Sequence, residues 1–281
     1  MTRPMSSSRV SDVVFRGCRW TLTSLFLAAG LVSIAVVRFG PASVRPETIP
    51  WISGWHIAIV GSVIFGATVF VLLRRMTQVV WEALLTAAAF LGIWYVFLLF
   101  GLPLAWAIAI ASLFTLAHLL LRIVLVHDVF FLLGCVGVAL NFALWLPSEV
   151  LLAALAAFMV YDMVAGPPEG PVAALATRLV RHGVVPGFIL PSNGKGFLSS
   201  VDDAIRSDAA LLGTGDLILP LLLVIRAAAW DITSAFFVLA GLVVGSVVLG
   251  FRKELHPRAA LVPLALGTAI PFLGIYLISR L

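Results

Sequence analysis

Long apolar runs recur along the whole chain, and they constrain its fold more than any other feature. A helix needs about 20 apolar residues to cross the hydrocarbon core of a bilayer. Nine such runs occur, at 20–37, 54–73, 79–100, 102–121, 127–146, 147–165, 210–228, 231–251 and 259–279. Because lipid offers the backbone no hydrogen-bond partners, helices must satisfy it internally. The sequence therefore predicts an all-α integral membrane protein with nine transmembrane helices.

The charge content excludes an ordinary soluble protein. Only 11% of the 281 residues are charged, whereas a soluble domain carries roughly 25%. The net charge is +5, but the positive residues lie in short loops between spans, where they set orientation. The sequence therefore favours a membrane protein over a nucleic-acid-binding protein.

The distribution of Arg and Lys predicts the orientation. With nine spans, the side of the N-terminus holds fourteen Arg and Lys residues and the opposite side holds four. Positive residues are concentrated on the cytoplasmic side of membrane proteins. We expect a multi-pass cell-membrane protein with a cytoplasmic N-terminus and an extracellular C-terminus. The excess of Arg over Lys suggests a prokaryotic, GC-rich genome.

One long interruption divides the chain into three regions. They are a six-span region at 1–165, a cytoplasmic loop at 166–209 and a three-span region at 210–281. Within the loop, 172–182 has the pattern of an interfacial amphipathic helix. Val184–Leu190 is rich in β-branched and aromatic residues and predicts a short extended segment.

Most acidic residues near the membrane lie at the ends of spans. Glu82 and Asp128 are close enough to span ends to reach the headgroups. Glu149 and Asp231 begin spans, where a carboxylate suits the positive end of a helix. We interpret these four residues as structural.

Asp162 and Asp216 differ from the other acidic residues. Asp162 lies about four residues before the sixth span ends, and Asp216 about six residues after the seventh begins from the same side. At 1.5 Å per residue, both should lie roughly 6–9 Å below the cytoplasmic ends of their helices. Ionisable residues inside spans are costly and usually functional. The sequence predicts that these two carboxyl groups form one site.

Two carboxyl groups at one site provide an acid and a base. Repulsion between them keeps one protonated while the other is ionised. The ionised group can activate water, and the protonated group can donate to a carbonyl oxygen. This chemistry hydrolyses a peptide bond with no metal or cofactor. Cys18 and Cys135 have neither a disulfide pattern nor metal-ligand spacing.

The neighbours of Asp216 favour an irregular backbone. Gly213 and Gly215 flank Thr214 directly before it, and glycines permit close backbone approach. Pro220 follows four residues later and has no N–H, so the carbonyl of Asp216 loses its helical partner. The same glycines and proline also occur in helices that merely pack or bend.

On these residues the chain resembles the presenilin and signal peptide peptidase family of GxGD intramembrane aspartyl proteases, and most of all its archaeal presenilin-like branch. The YD motif on a sixth span matches Tyr161 and Asp162, and the GxGD motif on a seventh matches Gly213 to Asp216. The resemblance implies a presenilin-like fold of nine spans with Asp162 and Asp216 as the catalytic pair. It also implies a transmembrane-helix protein or peptide as substrate.

The resemblance extends to two further segments. The PAL motif of the family, at the start of the ninth span, corresponds to Ala259, Ala260 and Leu261, with alanine in place of proline. A second register starts at Pro263. In the family, the segment between the sixth and seventh spans holds the substrate as an extended strand. The corresponding residues here are Val184, Val185, Phe188, Ile189 and Leu190.

Other function classes use the same intramembrane carboxylates. A proton- or cation-coupled transporter or channel is the main alternative, although no internal repeat is evident. Prepilin-type GxGD peptidases resemble the chain only at Gly213 to Asp216, and a catalytically silent scaffold is a further reading. The resemblance implies an enzyme that works in membrane lipid as a single chain, without obligate partner subunits. Homo-oligomerisation stays open.

Overall fold

The fold was analysed in a computed structural model that describes residues 19–40, 78–165, 179–180, 184–191, 194–206, 209–251 and 260–279. The predicted span at 54–73 lies outside the described residues, as do Cys18, Ala259 and all but 179–180 of the predicted amphipathic helix. The other eight predicted spans correspond to eight long helices.

The described part of the chain is mainly helical, with one two-stranded sheet. Its helices are α1 (Arg19–Phe39), α2 (Gln78–Leu99), α3 (Leu104–Leu121), α4 (Val124–Trp145), α5 (Ser148–Ala165), α6 (Val201–Arg206), α7 (Thr214–Trp230), α8 (Ile232–Phe251) and α9 (Leu261–Ile278). The strands are β1 (Gly187–Leu190) and β2 (Ala210–Gly213). A short 3-10 helix covers Gly194–Leu198.

The helices have the length and composition of membrane spans. Among the described residues, six helices are long and apolar enough to cross a bilayer, namely α1, α2, α3, α4, α8 and α9. Only 11% of the apolar window of α3 is buried inside the protein. Large side chains such as Trp106 and Leu113, each 65% exposed, face outward from it. An apolar surface of this extent needs lipid around it.

Helix α7 lies at the centre of the bundle. It contacts α1, α4, α5, α8 and α9. Leu217, Leu221, Leu223 and Val224 on this helix are fully buried. It continues through Pro220. Any residue on α7 is therefore held by several helices at once.

Helices α2 and α4 approach each other through glycines. A Cβ atom added to Gly92 would lie 2.9 Å from the Cα atom of Gly134, and nearer still to its carbonyl oxygen. One added to Gly137 would meet the backbone of Gly92. Close helix crossings of this kind are common in membranes, because small residues let backbones pack directly.

The segment before α7 packs on the first turns of α4. The N–H of Val124 donates to the carbonyl of Ser199 at 3.1 Å, and the N–H of Val201 donates to the carbonyl of Arg122 at 2.9 Å. Val124 also packs with Ile189 in a small apolar cluster. The start of α4 is thus the platform for this loop.

The predicted start of the seventh span is wrong. We expected a helix from residue 210, but Ala210–Gly213 is strand β2, which pairs antiparallel with β1. The partners include Phe188 with Leu212 and Leu190 with Ala210. Helix α7 therefore begins only at Thr214. An apolar run cannot by itself distinguish a buried strand from the first turn of a helix.

Asp231 caps a helix, as its position at the start of a span predicts. Its Oδ1 accepts a hydrogen bond from the N–H of Ser234 at 2.7 Å, and its Oδ2 accepts one from the Ser234 hydroxyl. These hydrogen bonds hold the pKa of Asp231 below its usual range. A carboxylate in this position stabilises the start of α8.

We predict that Gly92→Ala destabilises the protein, because its Cβ would push α2 away from Gly134. The expected loss is about 1–3 kcal/mol, as in other overpacked cores. The measurement is thermal unfolding in detergent. Gly274→Ala is the matched control, since nothing lies within 4 Å of a Cβ there. Equal melting temperatures for the two variants would contradict the prediction.

Candidate active site

Asp216 lies in the first turn of α7, two residues after the helix begins at Thr214. At 1.5 Å per residue this is roughly 3 Å from the helix start, less than the sequence predicts. Its carboxylate bonds back to the N–H of Gly213, which precedes the helix. Acidic side chains at this position commonly cap their own helix. The helix start therefore fixes the direction of this carboxylate.

Gly213 leaves room for that carboxylate. A Cβ atom at this position would lie 3.2 Å from Oδ2 of Asp216, which is tighter than an ordinary contact. Gly215 differs, because nothing lies within 4 Å of a Cβ there. Of the two motif glycines, Gly213 is the one that the aspartate packs against.

Asp162 is held by the start of a different helix. It lies near the end of α5, and its Oδ2 accepts a hydrogen bond from the N–H of Leu261 at 3.3 Å. Leu261 is the first residue of α9. Helix N-termini present free N–H groups and a partial positive charge to an anion. Asp162 is thus oriented by α9, although it belongs to α5.

The two carboxyl groups lie at one place in the bundle. Each is partly buried, and they are close enough for Asp162 to act electrostatically on Asp216. Their helices α5 and α7 pack together, and α9 contacts both. Carboxylates from two helices thus meet beside the N-termini of α7 and α9, an arrangement that can take up or donate a proton.

The other motif residues differ in how far they are exposed. Tyr161 is 49% exposed on α5. Thr214 is partly buried in the first turn of α7, and Pro220 is buried further along it.

The two registers of the PAL-like segment have different surroundings. In the first register, Ala260 is partly buried and Leu261 is the residue whose N–H meets Asp162. In the second, Pro263 is buried, and a Cβ atom added to Gly245 of α8 would lie only 2.5 Å from the carbonyl oxygen of Pro263. The first register therefore lies beside the aspartate and the second packs against α8.

The extended segment contains a strand, and its side chains are buried in the protein. Strand β1 occupies Gly187–Leu190. The predicted substrate-binding residues on and before it are all buried, namely Val184, Val185, Phe188, Ile189 and Leu190. Phe188 and Leu190 pack in the main core, and Ile189 packs against the start of α4.

The prediction that Asp128 reaches the headgroups is wrong. Asp128 is only 6% exposed, and its Oδ1 accepts a hydrogen bond from the N–H of Ile189 at 2.9 Å. The adjacent His127, which the sequence did not single out, is 2.9 Å from the carbonyl oxygen of Gly187 through Nε2. The HD pair at the start of a span was the available signal. Its partner, a backbone 61 residues away, has no sequence signature.

Strand β2 has an edge that faces away from β1. In an antiparallel pair, successive residues point their N–H and C=O groups to opposite edges. The N–H of Ile189 and the carbonyl of Gly187 point toward α4. The backbone groups of Phe188 and Leu190 therefore point the other way, toward Leu212 and Ala210 of β2. Leu211 therefore directs its N–H and C=O outward, and its side chain is 46% exposed. No described strand pairs with this edge, and its other outward N–H, that of Gly213, meets the carboxylate of Asp216.

The far ends of the same three helices are joined by a polar cluster. The Nε of Arg226 on α7 donates to the hydroxyl of Ser148 on α5 at 3.3 Å. The hydroxyl of Tyr276 on α9 donates to the carboxylate of Glu149 on α5. Glu149 also attracts Arg226 electrostatically. Glu149 therefore acts as a link between helices as well as an acidic residue in the first turn.

Comparison with known proteins identifies the fold. No protein-family model matches the sequence, and no curated protein sequence matches it. A solved structure of a presenilin-family intramembrane aspartate protease, in space group C222, is similar over 92% of this chain and 99% of that one, with 21% identity and a TM-score of 0.61. A structure in space group P2 covers 92% and 97%, with 22% identity and a TM-score of 0.56. The chain therefore has the fold of the presenilin-family intramembrane aspartate proteases, as its YD and GxGD motifs predict.

Proposed function

We propose that this protein is an intramembrane aspartyl endopeptidase, which hydrolyses peptide bonds within or near the transmembrane helices of membrane proteins. The observation that carries the proposal is the pairing of Asp162 with Asp216, each bound by an N–H group at the start of a helix. The similarity of fold to an intramembrane aspartate protease supports it. The pair places two carboxyl groups together, one of which can hold a proton while the other is ionised.

The chemistry follows from a pair that shares one proton. The ionised carboxylate takes a proton from water while the water oxygen attacks the scissile carbonyl carbon. The protonated carboxyl group donates to the carbonyl oxygen, which gives a tetrahedral diol. The carboxyl group that is now protonated gives its proton to the amide nitrogen, and the other carboxylate takes a proton from a diol hydroxyl. The C–N bond breaks, the new carboxyl and amino groups leave, and the pair is again singly protonated. The two roles belong to the coupled pair rather than to either residue.

The substrate must be extended before it is cut, because a helix shields its own peptide bonds. An extended segment needs a backbone partner in the membrane. The outward edge of β2 offers such a partner through Leu211, close to Asp216. We therefore propose β2 as the strand to which the substrate adds, by strand addition at a sheet edge. Within the segment that the sequence favoured, strand β1 pairs with the opposite edge of β2.

Asparagine variants test the aspartate pair. Asp162→Asn and Asp216→Asn keep the shape and one acceptor oxygen but remove the titratable carboxyl group. Each should lower kcat by about 10²–10⁴-fold or more, the usual contribution of general acid–base catalysis. The measurement is cleavage of a single-span substrate peptide by the full chain in detergent. Asp202→Asn is the control, since Asp202 is exposed on α6.

Two outcomes would overturn the proposal. Cleavage that persists in either variant would remove that aspartate from the mechanism. If no single-span substrate is cleaved by the unaltered protein, and liposomes instead show gradient-driven flux of a cation that both variants abolish, the protein is a transporter.

A proline at Leu211 tests the proposed substrate edge. Leu211→Pro removes the outward N–H but leaves the inward bonds of Leu212 and Ala210, so the sheet should survive, as edge strands tolerate such prolines. We expect kcat/KM to fall about tenfold or more, the size of one lost backbone hydrogen bond. Leu211→Ala is the control, because it truncates the same side chain and keeps the N–H. Equal kcat/KM for the two variants would contradict the proposal.

A further inference from the structure

Two buried polar side chains of α4 cover the outer edge of β1. His127 is 4% exposed and Asp128 is 6% exposed. Asp128 accepts from the N–H of Ile189, and His127 approaches the carbonyl of Gly187, both at 2.9 Å. Because the carbonyl oxygen of Gly187 can only accept a hydrogen bond, the Nε2 of His127 must carry the hydrogen. Together the two side chains make the bonds that a third strand would otherwise make.

The position of these residues is costly without such partners. A carboxylate removed from water is destabilising unless it is hydrogen-bonded. Among the described residues, Ile189 is the only hydrogen-bond partner recorded for the side chain of Asp128. In the part of the chain that the structure describes, these two buried side chains form hydrogen bonds to backbone groups of β1, which suits them to holding that strand in place.

The strand that they hold is connected to the catalytic pair. Strand β1 pairs with β2 through Phe188 with Leu212 and Gly187 with Gly213. The N–H of Gly213 in turn bonds to the carboxylate of Asp216. This carboxylate packs so closely on Gly213 that a Cβ atom there would lie 3.2 Å from Oδ2. A shift of β1 would therefore move β2 and the carboxylate with it.

We propose that Asp128 and His127 are positioning residues, which fix β1 to α4 and thereby hold the start of α7 and Asp216 in place. By occupying the outer edge of β1, they also leave the outward edge of β2 as the edge open to a substrate strand within the described sheet. Edges of sheets otherwise pair with any available strand. The proposal rests on the proposed function for its catalytic consequence, but the anchoring of β1 is independent of it.

The test compares Asp128→Ala with Asp128→Asn in the full chain in detergent. The amide oxygen of asparagine can still accept from Ile189, so this variant should keep the strand and the rate. Asp202→Ala is the matched control, because it removes an exposed aspartate from α6 in the same loop. Hydrogen exchange is measured in the peptides that cover β1 and β2, and kcat and KM are measured for a single-span peptide.

We expect Asp128→Ala to speed exchange in both strands about tenfold and to lower kcat by a similar factor, the size expected for one unpaired buried N–H. Exchange in α7 and α8 beyond the first turn should stay at the rate of the unaltered protein, as should every value for Asp128→Asn and Asp202→Ala. His127→Ala should act in the same direction, because it leaves the Gly187 carbonyl unpaired.

Unchanged strand exchange or unchanged kcat in Asp128→Ala would overturn the proposal. If Asp128→Ala loses protection in all helices, Asp128→Asn decides. A lowered kcat of Asp128→Asn with normal strand exchange would overturn the proposal, because the charge of Asp128 and not its hydrogen bond would then matter. If the unaltered protein cleaves no peptide, the proposed function fails. Strand exchange then still tests the anchoring of β1.

Discussion

Two carboxyl groups must share one place inside a bundle that lipid surrounds, and the rest of the structure depends on how that is made possible. Isolated charges are expensive in such a medium. Here each carboxylate is met by an N–H group at the start of a helix, Gly213 for Asp216 and Leu261 for Asp162. These N–H groups have no partner inside their own helices, so they are available to an anion. The starts of α7 and α9 therefore act together as the stabilising environment of the pair.

Helices α5, α7 and α9 must then keep their relative positions, because the pair is built from all three. Their far ends are joined by Arg226, Ser148, Glu149 and Tyr276. Trp230, Phe272 and Tyr276 stack beside them. At the opposite ends, Asp162 joins α5 to α9 through the N–H of Leu261. These contacts define the spacing of the helices, while α3 presents apolar side chains to lipid.

The sheet connects the loop to α7, the helix that carries Asp216. Strand β2 runs directly into α7, so the register of β2 determines where the first turn of α7, with Asp216 in it, begins. That register is supported from behind by β1, and β1 by His127 and Asp128 on α4. The loop between the sixth and seventh spans thus helps to build the site of the two aspartates and also connects the spans. Its polar anchors lie on α4, which carries neither Asp162 nor Asp216.

The sequence by itself determined the membrane class and eight of the helices that the structure describes, because apolar length can be counted along the chain. It also indicated that Asp162 and Asp216 lie together, because carboxylates inside spans are rare. It did not determine that 210–213 is a strand, since a short apolar run fits either structure until a partner strand is present. Nor did it reveal that Asp128 bonds Ile189 or that Leu261 bonds Asp162. Those contacts join residues 61 and 99 positions apart. Only the packing of the helices decides which backbone N–H groups a buried carboxylate can reach.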